Sequence, residues 1–223
     1  MAHLFPQIAA SIMCADPLQV ETELEKLTTA GVKWLHADVM DGLFVDNLAM
    51  APYNLAPILA RDEFVTDIHL AVTRPERYIE MFAPLAPDYL TFHVEATKEP
   101  GRLIEMIHQA GCGAGLAINP STKPESVLPY LAQIDYLLVM TVAPGFAGQK
   151  FCLSGLENLR FLKKQIVELE ERPIVAVDGN IYAETVKQIG PGQADLYIVG
   201  TAALFNNKPG NYEQKLAPLF ELL

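Results

Sequence analysis

Four residues at the ends of apolar, β-branched runs have side chains suited to holding a cation: His36, Asp38, His69 and Asp178. In Trp34-Leu35-His36-Ala37-Asp38 the imidazole and the carboxylate are two positions apart, so on a strand they point to the same side. Asp67-Ile68-His69 ends a second run and Ala176-Val177-Asp178-Gly179 a third. Within a parallel strand buried on both faces, such groups are costly unless they are paired or bind a metal. Two imidazoles and two carboxylates at one end of a sheet form a ligand set for zinc, iron(II), manganese or cobalt. The alternative is a satisfied polar cluster in which each histidine bonds a neighbouring carboxylate.

A second constellation is made of glycines. Gly145-Phe146-Ala147-Gly148-Gln149, Gly179-Asn180 and Gly200-Thr201 each follow an apolar run, where bare backbone N–H groups can cradle a phosphate. Any one of them alone reads as an ordinary strand-to-helix turn. No Lys or Arg stands within these groups, and the formal net charge of −11 opposes an anionic ligand. A phosphate must therefore be held by local amides and helix dipoles.

The elements that must position these residues alternate along the 223-residue chain. Strands are expected at Gln7 to Ile12, Trp34 to Asp38, Val65 to Leu70, Tyr89 to Val94, Gly113 to Ile118, Tyr136 to Thr141, Ile174 to Asp178 and Leu196 to Val199. Helical patterns separate them. The first is expected from about Leu18 to Ala30, with Asp16 as N-cap, Pro17 in the first turn and Gly31 as stop. Another carries Leu156, Leu159, Leu162, Ile166 and Leu169 before Pro173. Eight strand-helix pairs without a composition break favour one closed (β/α)8 TIM barrel domain over residues 1–223, with an open doubly wound sheet as the alternative.

Composition narrows the function classes. The negative charge and the lack of a basic tract exclude nucleic acid as a partner. No apolar stretch approaches the roughly 20 residues of a membrane helix. Met1 to Pro17 has no Lys or Arg before its short apolar run, so it does not read as a signal peptide, and the cytoplasm is the expected location. Cys14, Cys112 and Cys152 show no C-x-x-C spacing and are expected as free thiols.

The motifs Ser11-Ile12-Met13-Cys14-Ala15-Asp16, His36-Ala37-Asp38-Val39-Met40-Asp41-Gly42, His69-Leu70, Phe92-His93-Val94-Glu95, Met140-Thr141-Val142-Ala143-Pro144-Gly145-Phe146 and Val177-Asp178-Gly179 resemble the ribulose-phosphate 3-epimerase family from Ile8 to about Phe205. The resemblance implies one divalent metal on His36, Asp38, His69 and Asp178, with Ser11 and His69 near a small sugar phosphate and the glycine loops on its phosphate. It implies that Asp38 and Asp178 move a proton at C3 on opposite faces of a cis-enediolate, which the metal stabilises. It also implies a homo-oligomer. Met40 and Met140 would wall the intermediate, although core packing explains a methionine equally well.

Departures from the family pattern bear on the substrate. Leu43 and Asp46 replace a common histidine and proline, Ala71 replaces a methionine of the wall, and Asn180 replaces a glycine. The space left at Ala71 admits a larger sugar. Ser11-Ile12-Met13-Cys14, Val72-Thr73-Arg74-Pro75, Gly145-Phe146-Ala147-Gly148-Gln149 and Val199-Gly200-Thr201 with Leu204-Phe205-Asn206 are similar to the allulose-6-phosphate 3-epimerase branch. D-Ribulose 5-phosphate is the first expectation, D-allulose 6-phosphate the second, and a non-catalytic sugar-phosphate-binding barrel the rival of another class. Decarboxylases that need a lysine between strand-end aspartates find none between Asp38 and Asp41, and Lys33 lies at the wrong end of its strand for a Schiff-base aldolase.

Overall fold

The computed structural model describes residues 6–223. Of the N-terminal stretch read above for a targeting signal, Met1 to Phe5 lie outside the described residues. The strands are β1 (Gln7–Ser11), β2 (Trp34–Asp41), β3 (Leu48–Ala49), β4 (Val65–Ala71), β5 (Tyr89–His93), β6 (Gly113–Ile118), β7 (Tyr136–Met140), β8 (Ile174–Asp178) and β9 (Leu196–Val199). All pair in parallel except β3, which runs antiparallel to the end of β2. Because β1 pairs with both β2 and β9, the other eight close into a TIM barrel, and the open-sheet alternative falls.

The helices are α1 (Val20–Thr29), α2 (Pro52–Leu59), α3 (Pro75–Phe82), α4 (Pro100–Gln109), α5 (Leu153–Ile166), α6 (Ala183–Ile189) and α7 (Tyr212–Phe220). Among the described residues the count of strand-helix pairs is one short. After β6 the chain makes two single 3-10 turns, Pro124–Ser126 and Leu128–Tyr130, instead of an α-helix. Pro124 and Pro129 lack the N–H groups that a continuous helix would need there. Asp16 is likewise not a helix cap. Its carboxylate accepts from Leu18 N at 3.0 Å and from the Gln19 amide at 3.1 Å, closing a separate turn, so α1 starts only at Val20. Leu169 lies beyond the end of α5, packed against the core.

Alternation along the strands divides the buried residues into two compartments. One set, including Leu35, Ile68, Leu70, Phe92 and Val177, faces the helices. The other, including Trp34, Tyr136, Leu138, Met140 and Ile198, fills the barrel. Trp34 stacks on Tyr89 at 5.6 Å and Tyr89 lies 5.3 Å from Tyr136, so aromatic rings plug the end where the strands begin. The opposite end is left for polar chemistry.

Candidate active site

Register brings the four expected ligands together. The β2–β4 ladder sets His36 beside Asp67 and Asp38 beside His69, and the β7–β8 ladder sets Met140 beside Asp178. One ligand atom from each of His36, Asp38, His69 and Asp178 lies within 4.8 Å of the others. The first three are buried, and Asp178 is partly open to the cavity above them.

His36 Nδ1 lies 2.8 Å from Asp67 Oδ2, and Thr91 Oγ1 donates to the other Asp67 oxygen at 2.5 Å. With its proton held on Nδ1, His36 turns the lone pair of Nε2 toward Asp38 Oδ1, 3.4 Å away. Among the described residues Nε2 is a buried atom with no hydrogen-bond partner. Two acceptors facing each other in a dry interior require a positive charge between them. Burial works against an imidazolium at His36, yet Asp38 and Asp67 outweigh it and hold its pKa well above the ordinary value. The cluster therefore draws positive charge, and its donor set fits a divalent metal ion.

The two carboxylates stand in contrasting environments. Burial opposes ionisation of Asp38, but the His36 and His69 imidazoles outweigh it and hold the carboxyl well below the usual range. Ser11 Oγ also donates to Asp38 Oδ2 at 2.9 Å. Burial, reinforced by the charge of Asp38, pushes Asp178 up to about 6.

The cavity above the cluster, about 60 Å³, is lined by Ser11, Met13, Cys14, Asp38, Met40, Met140, the Val142 to Gln149 loop, Asp178 to Ile181, Ile198, Gly200, Thr201 and Ala202. All three glycine groups thus meet at one place, including Gly145, Phe146, Ala147 and Gly148, and no Lys or Arg is among the lining residues. Gly179 has φ +118°, and a Cβ there would lie 2.7 Å from the backbone N of Val142. Asn180, at φ 55°, occupies the left-handed region that asparagine tolerates. His69 lies fully buried, outside the lining.

Three of the departures from the family pattern lie outside the cavity lining. Ala71 is fully buried and absent from the cavity lining, to which Met40, its partner in the β2–β4 register, contributes. Leu43 and Asp46 are exposed, so neither shapes the cavity directly. The loop between β2 and β3 is instead held by Asp41, whose carboxylate accepts from the backbone of Leu43, Phe44 and Thr73. Asn47 Nδ2 then donates to Gly145 O at 2.7 Å, tying this loop to the glycine loop after β7.

Asp67, His93 and Glu95 support the cluster without having been assigned a part from the sequence. His69 Nδ1 lies 3.1 Å from Asp38 Oδ1, and its Nε2 lies 2.8 Å from His93 Nε2. His93 Nδ1 lies 3.2 Å from Glu95 Oε2. The available signal was the His93-x-Glu95 spacing, which repeats that of His36-x-Asp38.

A family model described as the ribulose-phosphate 3 epimerase family matches residues 7–205. Ribulose-phosphate 3-epimerase of Schizosaccharomyces pombe is 35% identical over 206 residues, covering 91% of this chain and 89% of the relative. The protein of the same name from Mycobacterium tuberculosis is 35% identical over 204 residues, covering 92% and 88%. Among solved structures, 3-keto-L-gulonate-6-phosphate decarboxylase from Vibrio cholerae superposes with a TM-score of 0.71 at 10% identity, covering 98% of this chain and 97% of that one. At that identity the likeness is one of fold alone.

Proposed function

The chain belongs to the ribulose-phosphate 3-epimerase family, and from that premise we propose that it inverts C3 of D-ribulose 5-phosphate to give D-xylulose 5-phosphate. The observation that carries the reading is the meeting of Asp38 and Asp178 at the floor of a cavity rimmed by three glycine loops. One aspartate removes the C3 proton beside the C2 ketone, and the other returns a proton to the opposite face of a cis-enediolate. Ser11 orients Asp38, and Met40 and Met140 exclude water from the intermediate. Backbone amides of the loops at Gly145 to Gly148, Gly179 to Asn180 and Gly200 to Thr201 hold the phosphate.

His36, Asp38, His69 and Asp178 would hold one divalent ion, zinc by first choice over iron(II), manganese or cobalt, which would supply Lewis-acid stabilisation of the developing anion. With the family as its support, the reading extends to a single barrel domain that works as a cytoplasmic homo-oligomer. The charge of −11 supports the exclusion of nucleic acid. No helix among the described residues is long and apolar enough to cross a membrane.

The relatives at 35% identity are named ribulose-phosphate 3-epimerase, which supports the pentulose. A coupled assay should therefore give a higher kcat/KM with D-ribulose 5-phosphate than with D-allulose 6-phosphate; the reverse order would reassign the substrate. Asp178→Asn should abolish turnover while the circular dichroism spectrum is retained, and an active variant would remove Asp178 from catalysis. A pure binding protein would fail to exchange solvent deuterium into C3.

A further inference from the structure

His36 and His69 are supported differently. The former bonds a carboxylate directly through Nδ1, whereas the latter meets a second imidazole through Nε2. Two ring nitrogens 2.8 Å apart share a single hydrogen, so one donates and the other accepts. Glu95 decides which. Its Oε1 accepts from Asn119 N at 2.8 Å, and its Oε2 faces His93 Nδ1 at 3.2 Å. A carboxylate accepts on both oxygens, so His93 carries its proton on Nδ1 and offers the lone pair of Nε2. His69 must then donate from Nε2, which leaves its Nδ1 lone pair aimed at Asp38 Oδ1, 3.1 Å away.

We infer that His93 and Glu95 are positioning residues, a relay that locks His69 in its Nε2–H tautomer so that Nδ1 is the atom offered to the metal. This deepens the proposed function and rests on its metal site. His93 is fully buried, and the Phe44 ring lies over it at 4.9 Å, shielding the nitrogen-to-nitrogen bond from water. In that dry setting the orientation of each bond sets the next. A carboxylate acting through an intervening ring raises the basicity of a ligand histidine as a directly bonded one does.

The test uses zinc as probe, with the full chain and its Glu95→Gln variant. Glutamine keeps the size but can offer its single carbonyl oxygen to only one of Asn119 N and His93, so the relay loses its direction. Chelator competition should show zinc bound tenfold to a hundredfold more weakly by the variant, the range expected when a group supporting a metal ligand is removed. Long-range ¹H–¹⁵N spectra of the zinc-loaded wild type should show His69 bound through Nδ1 with a proton on Nε2. Unchanged zinc affinity in the variant, or wild-type His69 bound through Nε2, overturns the relay while leaving the metal site standing. A wild type that binds no zinc overturns both. The spectra keep the inference falsifiable if the variant does not fold, and a purely structural role for Glu95 would not set the tautomer.

Discussion

Substituting Gly179 by alanine should separate the geometry of the site from the stability of the fold. At φ +118° an alanine pays roughly 1–2 kcal/mol for its backbone conformation alone. Its Cβ would also sit 2.7 Å from both the backbone N and Cγ2 of Val142. The side-chain atom can rotate away, but the backbone nitrogen cannot, so the two loops must part by roughly 0.7 Å to restore a tolerable contact. Gly179 follows Asp178 directly, and Thr141 Oγ1 donates to the carbonyls of both, at 2.9 Å to Asp178 and 2.6 Å to Gly179. The displacement therefore reaches the carboxylate. A misplacement of about 1 Å costs on the order of a hundredfold in rate, so kcat/KM for D-ribulose 5-phosphate should fall tenfold to a hundredfold. Gly111→Ala is the control. It has a comparable φ of +83° with nothing within 4 Å of the added carbon, and it precedes β6 at the other end of the barrel. It should lower the melting temperature by about 2–8 °C and leave kcat/KM intact. If Gly179→Ala is as active as wild type and only as destabilised as Gly111→Ala, the proposed contact between the two loops does not position Asp178.

Thiol reactivity should follow environment. Ser154 Oγ, 3.1 Å from Cys152 Sγ, lowers the pKa of that thiol, while burial followed by the charge of Asp38 pushes Cys14 up to about 11 and burial raises Cys112. Iodoacetamide followed by mass spectrometry should mark Cys152 first, and early labelling of Cys14 would contradict this account. Acid stability should depend on Asp195, where burial is outweighed by Arg172 at 2.6 and 3.1 Å and by Val175 N, holding the carboxyl below its ordinary value. A folded-state pKa below the unfolded value contributes stability above about pH 4 that is lost as pH falls through the folded value. Asp195→Asn should cost about 1–2 kcal/mol at neutral pH and flatten the acid limb of a melting-temperature profile; an unchanged limb refutes the linkage.

The strands were legible in the sequence because runs buried on both faces of a parallel sheet are continuously apolar, and polar interruptions stand out against them. That is why His36, Asp38, His69 and Asp178 were found. What supports them was hidden, since the pairing of His36 with Asp67 exists only in one register of β2 on β4, and a slip of one residue would turn these side chains to the other face. Ala71 was assigned to the wall by resemblance, in the place of a methionine, whereas its fully buried position outside the lining depends on packing that the sequence does not display. The missing helix after β6 was announced by Pro120, Pro124 and Pro129, whose meaning was masked by the expectation of a regular repeat.

The barrel interior is divided, and the division explains how a charged cluster survives there. β2, β4 and β5 contribute His36, Asp38, Asp67, His69, Thr91 and His93, whereas β7, β8 and β9 contribute Leu138, Met140, Ala176 and Ile198, with Asp178 at the end of β8 the one ligand from that side. On the polar side Thr91 feeds Asp67 and Asp67 holds His36, so the groups far from the cavity are satisfied. Gly115 makes this possible, because any side chain there would collide with the Thr91 hydroxyl. Satisfying those outer groups directs the remaining lone pairs inward, toward Asp38 and the mouth. On the opposite side the apolar wall keeps water away, and in a medium of low polarisability unbalanced acceptors attract a cation far more strongly than they would in solvent. The polar network and the apolar wall therefore act as one device: the first aims the negative charge, and the second prevents water from quenching it where a carbon-bound proton must be taken.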